Sequence, residues 1–283
     1  MGDMTGKIVM VTGANSGMGL ATTVELAKQG AHVVMVCRSR ERGELALEQA
    51  RKQSGSKELA LMTCDLGSLA SIRSFTAAFK QKYDRLDVLI NNAGVVSLKR
   101  ELTSDGFESQ IGINHLGHFL LTNELLELIK AAPQGRIVNL SSGAHKAGRI
   151  HFDDPNLTKS YNVVKGYAQS KLANILFTKE LATRLAGTRV TVNSVHPGAV
   201  ATNIGVDRKT GFGKTVHKLL RPFFRTPLEG ARTAIYLASS EAAAGQTGQY
   251  YIDSKIVQTA SKGSNAELAA RLWAWSEQQV GLT

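Results

Sequence analysis

The 283-residue chain contains only two cysteines, Cys37 and Cys64, too few for a disulfide framework. Each closes a strand-like run, so both are expected buried and reduced. No apolar run reaches the ~18 residues that a membrane-spanning helix requires. The opening Met1-Gly2-Asp3-Met4-Thr5-Gly6-Lys7 lacks the charged-then-apolar pattern of a secretory signal. Gly6 also stands where a myristoylation signal places Ser or Thr. A cytoplasmic protein is the resulting expectation. Internal repeats, low-complexity tracts and an interdomain linker are missing too, which argues for one domain over residues 1–283. Nor does any nucleic-acid reading module accompany the net charge of +11. That charge suits an anionic cofactor or an acidic ligand, and equally a basic, soluble surface. His115 and His118 have no carboxylate or third ligand beside them, so no metal site is expected.

What the chain does have is alternation. Strand-like runs at Lys7–Thr12, Ala31–Cys37, Leu59–Cys64, Leu86–Asn91, Gly135–Ser141, Thr188–Val195 and Gln249–Ile252 are interleaved with helical patterns. The helices are expected at Ser16–Gln29, Glu41–Gln53, Leu69–Lys82, within Ser104–Ala132, and at Tyr167–Leu185, Leu228–Ser239 and Ala266–Gln279. Such a series predicts βαβ crossovers and an α/β, doubly wound parallel sheet of Rossmann type with helices on both faces. The stretch Thr202–Thr226 departs from it, being basic, aromatic and glycine-dotted, and reads as a surface element.

Thr12-Gly13-Ala14-Asn15-Ser16-Gly17-Met18-Gly19 joins the first strand to the first helix. Small residues there let backbone amides approach a pyrophosphate, and the helix N-terminus adds partial positive charge. Asn15 and Ser16 offer side-chain donors and a helix cap. The spacing Gly13, Gly17, Gly19 differs from the commoner dinucleotide fingerprint, and an ordinary tight turn would use the same residues. The end of the second strand reads Val36-Cys37-Arg38-Ser39-Arg40, with no carboxylate before Glu41. An acidic residue there would hold the ribose of NAD, whereas Arg38 can grip the 2′-phosphate of NADP. NADP(H) is therefore the expected cofactor and NAD(H) the alternative; Arg38 and Arg40 would otherwise simply solvate a helix entrance. Asp65-Leu66 and Asn91-Asn92-Ala93-Gly94 follow the third and fourth strands, where open α/β sheets bind ligands. A helix cap at Asp65 and an ordinary turn at Asn91–Gly94 are the structural alternatives.

Tyr167 and Lys171 stand one helical turn apart on one face. A phenol titrating near pH 10 is a poor proton shuttle until nearby cations lower it, and Lys171 beside an oxidised nicotinamide would do so. Tyr161 and Lys165 repeat the spacing six residues earlier. The later pair is preferred because Tyr167 opens an apolar helical run, while Tyr161 sits among loop-forming residues before Gly166. Ser141 and Ser142 close the fifth strand, placing a hydroxyl for a substrate oxygen or a satisfied strand end. Asn114, an amide inside an apolar helix, needs partners and is expected to kink the helix and hold a relay water.

In this order the segments TGANSGMG, CDL at Cys64–Leu66, NNAG at Asn91–Gly94, Asn114, Ser142, Tyr167/Lys171 and Pro197-Gly198 resemble the short-chain dehydrogenase/reductase superfamily. The resemblance implies a seven-stranded parallel sheet, dimers or tetramers, and a catalytic tetrad of Asn114, Ser142, Tyr167 and Lys171. It also implies that Val200 and Thr202 contact the nicotinamide carboxamide. The stretches VCRSRERGE, GINHLGHFLLTNELL, RIVNLSSGAHKAG, YAQSKLANILFTKEL and HPGAVATN are similar to those of retinol-dehydrogenase-like members. Those relatives mostly reduce retinal or other lipophilic carbonyls with NADPH.

The expected activity is thus reversible reduction of a small or lipophilic carbonyl. Residues 202–226 are expected to cover the substrate, with Phe212, Val216, Leu219, Leu220, Phe223 and Phe224 lining a pocket and basic residues making weak peripheral membrane contact. A dehydratase or epimerase that retains NADP, and a non-catalytic NADP(H) sensor, are the rival classes.

Overall fold

Valine, isoleucine, leucine and methionine crowd the central strands because both faces of the sheet are covered. The computed structural model describes residues 2–200 and 225–283. Its strands are β1 (Ile8–Thr12), β2 (His32–Cys37), β3 (Leu59–Thr63), β4 (Val88–Asn91), β5 (Arg136–Leu140), β6 (Thr191–His196), β7 (Tyr250–Ile252) and β8 (Lys255–Ile256). They form one sheet in the order β3-β2-β1-β4-β5-β6-β7-β8. β1 to β7 are parallel, with Val9 opposite both Val33 and Val88. The implied seven parallel strands are joined by an eighth, since β8 runs antiparallel to β7. Its hairpin turn is Asp253-Ser254, both at positive φ (50° and 59°). A two-residue strand after a turn without glycine leaves no pattern to read.

The described helices are α1 (Gly17–Lys28), α2 (Arg40–Ser54), α3 (Leu69–Lys82), α4 (Ser109–Ile111), α5 (Gly117–Glu124), α6 (Leu126–Ala131), α7 (Val163–Arg184), α8 (Pro227–Ser239) and α9 (Ala266–Val280). Successive residues of β1 enter opposite cores, as strand geometry demands. Val9 and Val11 pack with Val24 and Leu26 of α1 and Ile235 of α8. Met10 joins Phe75 and Phe79 of α3, Phe119 of α5, Phe177 of α7 and Trp273 of α9. Cys37 and Cys64 are buried and unbridged, and burial pushes their thiols up to about 11 and about 12. Thiols held so far above neutrality are unreactive.

Two local departures from expectation shape the site. Helix α7 begins at Val163, because the Asn162 side chain accepts from the amides of Val164 (2.8 Å) and Lys165 (3.4 Å). Gly166 is therefore inside the helix. A Cβ there would lie 2.5 Å from Gln110 Nε2, so this glycine permits a close approach and breaks nothing. Within Ser104–Ala132 the helical run is broken in an unforeseen way: α4 and α5 are joined by a π turn, Gly112–Leu116, in which the Gly117 amide reaches Gly112 O. Asn114 is at its centre, and π turns of this kind cluster at functional sites.

Candidate active site

Strand order reverses between β1 and β4, and a cleft of ≈ 590 Å³ opens at the carboxyl ends of the strands there. Gly13 and Gly17 take positive φ (66° and 54°) in the turn after β1. A Cβ on Gly13 would sit 3.0 Å from Ala93 Cα, and one on Gly19 only 2.3 Å from Gly13 O. Helix α1 can press against the turn only because these side chains are missing, which leaves the floor of the cleft as backbone. Asn15, Ser16 and Met18 also line it. Ser16 holds the N-cap position, but its hydroxyl makes no cap bond.

At the far end, Arg38 and Arg42 line the cleft. Arg40 does not; it pairs with Glu44 at 2.9 Å on the surface of α2. Arg42 was not anticipated from sequence. Its signal was the helix cap at Ser39, whose hydroxyl accepts from the Arg42 amide and sets Arg42 in the first turn beside Arg38. Asp65 and Leu66 line the opposite wall. Asp65 Oδ1 accepts from Gly67 N at 2.9 Å, while the cap of α3 is Ser68, so the helix-cap alternative for Asp65 does not hold.

Asn92, Ala93 and Gly94 complete the lining beyond β4. Asn92 Nδ2 donates to Thr12 O (2.7 Å), and Thr12 Oγ1 accepts from the amides of Asn92 and Ala93 (2.9 Å each). The Asn92 side chain thus stitches β4 to β1. The described lining of the cleft does not include Pro197, Gly198 or Val200. Gly198 has φ +82°, with the Arg225 side chain crowding the place of its missing Cβ, and Val200 pairs with Arg225. Thr202 and the residues of 202–224, Phe212 to Phe224 among them, lie outside the described residues.

Gly94 leads from the cleft to the charged centre, since a Cβ there would lie 3.7 Å from Lys171 Nζ and 3.4 Å from Asn114 Oδ1. Ser141 and Ser142 separate cleanly. Buried Ser141 Oγ donates to Lys171 O at 2.7 Å, pinning β5 to α7. Ser142 caps a 3₁₀ turn, accepts from Ala144 N (3.2 Å), and has its side chain beside the Tyr167 hydroxyl. Lys171 Nζ donates to Leu140 O at 3.1 Å and lies 5.5 Å from the Tyr167 ring centroid. Burial lowers Lys171 to about 8. Burial raises Tyr167, and the Ser142 hydrogen bond offsets only part of that. Burial dominates there because desolvating a phenolate is costly.

Asn114 is fully buried and its amide is committed to the scaffold. Oδ1 accepts from Val95 N (2.8 Å), and Nδ2 donates to Val95 O and Ser170 Oγ (3.0 Å each). The amide therefore ties the loop after β4 to α7. The expected kink is present as the π turn, and the side chain's own hydrogen bonds are to protein. Tyr161, the competing phenol, donates to Ser97 O and accepts from Gln110 Nε2 (2.9 Å), and burial pushes it up to about 12. Its companion Lys165 is held by Ser160 at the surface.

A family model for the short-chain dehydrogenases matches residues 7–211. Human retinol dehydrogenase 14 is 49% identical over 99% of this chain and 88% of its own length. Human retinol dehydrogenase 13 is 46% identical over 98% and 85%. Among solved structures, an uncharacterised Mycobacterium paratuberculosis protein superposes with a TM-score of 0.80 at 35% identity, over 99% of this chain and 96% of the other. RhlG of Pseudomonas aeruginosa, solved as an active-site complex with NADP, gives 0.68 at 26% identity over 88% and 94%. With the nucleotide cleft at the β1/β4 reversal and half-buried Ser142 and Tyr167 over a buried Lys171 beside it, the chain belongs to the short-chain dehydrogenase family and is an oxidoreductase that interconverts alcohols and carbonyls.

Proposed function

We propose that this chain reduces lipophilic aldehydes or ketones, retinal-like carbonyls among them, with NADPH, in a reaction that also runs in reverse, from the alcohol to the carbonyl. The carrying observation is Tyr167 with the Ser142 side chain beside its hydroxyl and Lys171 Nζ 5.5 Å from its ring centroid, next to Gly94 of the cleft lining, where a Cβ would lie 3.7 Å from Lys171 Nζ. The turn at Gly13 and Gly19, packed too closely on Ala93, Asn92 and its own backbone to admit a Cβ, presents a backbone floor that fits a pyrophosphate. Two guanidiniums and no lining carboxylate at the β2 end fit a 2′-phosphate. The bound nicotinamide supplies or accepts the hydride at the carbonyl carbon. Ser142 holds the carbonyl oxygen by its hydroxyl. Tyr167, kept protonated by burial, donates its proton to that oxygen as charge develops on it. Lys171, still an ammonium at neutral pH, draws the phenol's charge back as the proton leaves. Asn114 keeps the Val95 loop and α7 in register. The lipophilic class rests on the retinol dehydrogenase relatives.

The test is spectrophotometric, with a panel of aldehydes and ketones and both reduced cofactors. NADPH should exceed NADH in kcat/KM by tenfold or more, on the order expected for a charge-paired phosphate. In Arg38→Ala/Arg42→Ala that preference should vanish through KM. Equal use of NADH by the unaltered chain would refute the cofactor assignment. No turnover with any carbonyl would refute the activity.

A further inference from the structure

His118, in the first turn of α5, is fully buried and has no place in the scheme above. Its Nδ1 lies 3.2 Å from Asn114 O, and its Nε2 2.9 Å from Thr12 Oγ1. These contacts assign every proton along the chain of bonds. A carbonyl oxygen only accepts, so Nδ1 carries a hydrogen. Burial, with the charge of Lys171 nearby, holds the imidazole at about 4, so it has one proton at neutrality. Nε2 is then a bare acceptor, and Thr12 Oγ1 must donate to it. The hydroxyl lone pairs remain for the Asn92 and Ala93 amides, each 2.9 Å away. A longer contact from Thr12 Oγ1 to Ile90 O (3.4 Å) cannot compete for the same hydrogen.

The two ends of this chain of bonds lie in different functional regions. Thr12, Asn92 and Ala93 line the cleft. Asn114 forms the π turn and holds the Val95 loop and Ser170 of α7, one residue before Lys171. One ring nitrogen bonds back to the π turn, four residues earlier in the same helical run, and the other crosses to Thr12 of β1, a partner 106 residues away in sequence.

We propose that His118 is a positioning residue that ties the cofactor-cradle turn at Thr12 to the π turn at Asn114, so that nucleotide binding and ordering of the catalytic group are coupled. The inference rests on the functional reading above, and its tests are chosen to separate the two.

The first test needs no substrate. Ring nitrogen NMR of histidine-labelled full-length protein should find His118 protonated at Nδ1, bare at Nε2, and not titrating between about pH 5 and 8, the window in which a solvated imidazole would. Protonation at Nε2, or titration in that window, would overturn the proposal. The second test is a double-mutant cycle on His118→Leu and Thr12→Val, read by direct NADPH binding in fluorescence and by kcat. Each single change should weaken NADPH binding and lower kcat on the order of tenfold, and the pair should do little more than either alone. Thr12→Ser, which restores the hydroxyl, should recover most of what Thr12→Val loses. Additive effects, or a His118→Leu protein that loses thermal stability while keeping both NADPH affinity and kcat, would sink the idea. Should no carbonyl be turned over by the unaltered chain, the activity assignment fails, while the NMR and binding measurements still decide the role of His118.

Discussion

Tyr161/Lys165 and Tyr167/Lys171 share one spacing and lie six residues apart, yet the fold gives them opposite chemistry. The Tyr161 hydroxyl is held between Ser97 O and Gln110, and Lys165 is tethered to Ser160 near the surface. The Tyr167 hydroxyl has the Ser142 side chain beside it, and Lys171 is 5% exposed beneath the ring. A phenol whose donor and acceptor capacity is already used clamps a loop, whereas one with capacity left can take part in a reaction. Spacing decides which residues share a helix face; what meets that face decides their work.

The comparison can be broken most sharply at Tyr167. Tyr167→Phe removes the proton donor, so kcat should fall by about 10²–10⁴-fold with NADPH affinity little changed; near-normal turnover would hand the role to another group. Lys171→Met should cost less, about 10–100-fold, since charge support is lost but the donor stays.

Lys171 also makes a pH prediction. Its proton is held more weakly in the folded chain (about 8) than in the unfolded one (10.5), so folding carries a penalty while the amine is charged. That penalty is fully present below about 8 and fades as pH rises toward 10.5. The melting temperature of the unaltered protein should therefore gain on that of Lys171→Met across this window, with scanning calorimetry as the readout. A constant difference would contradict the burial argument.

Tyr161→Phe should act on stability instead of chemistry. It takes the Tyr161 hydroxyl from Ser97 O and leaves Gln110 Nε2 with Val163 O alone, at the cost of about 1 kcal/mol, with kcat within a few-fold of normal. A fall in kcat comparable to that of Tyr167→Phe would erase the distinction between the two tyrosines. Smallest of all, Lys165→Ala should change stability by less than about 0.5 kcal/mol, as surface substitutions do.

Much of this was legible beforehand, for identifiable reasons. The glycine turn at Gly13–Gly19 advertises a backbone cradle because only missing side chains permit it, and that is visible in one dimension. The central strands were readable since burial on both faces demands unbroken apolar runs. Arg42 escaped notice because its entry to the cleft depends on the cap at Ser39. β8 escaped because positive φ at Asp253 and Ser254 has no glycine to mark it. Gly166 misled, since a glycine that admits Gln110 reads the same as one that ends a helix.

Local chemistry along the chain was therefore enough to specify the alternating elements, the phosphate-binding turn and a short list of reactive side chains. It could not assign Ser142 over Ser141, show that the Asn114 amide ties the Val95 loop to α7, or reveal the Thr12–His118–Asn114 bonds. All but the short His118–Asn114 bond depend on partners 19 to 106 residues away in sequence. Hydrogen bonds saturate, so a polar group's function is settled by which of its donors and acceptors remain after folding has matched the rest.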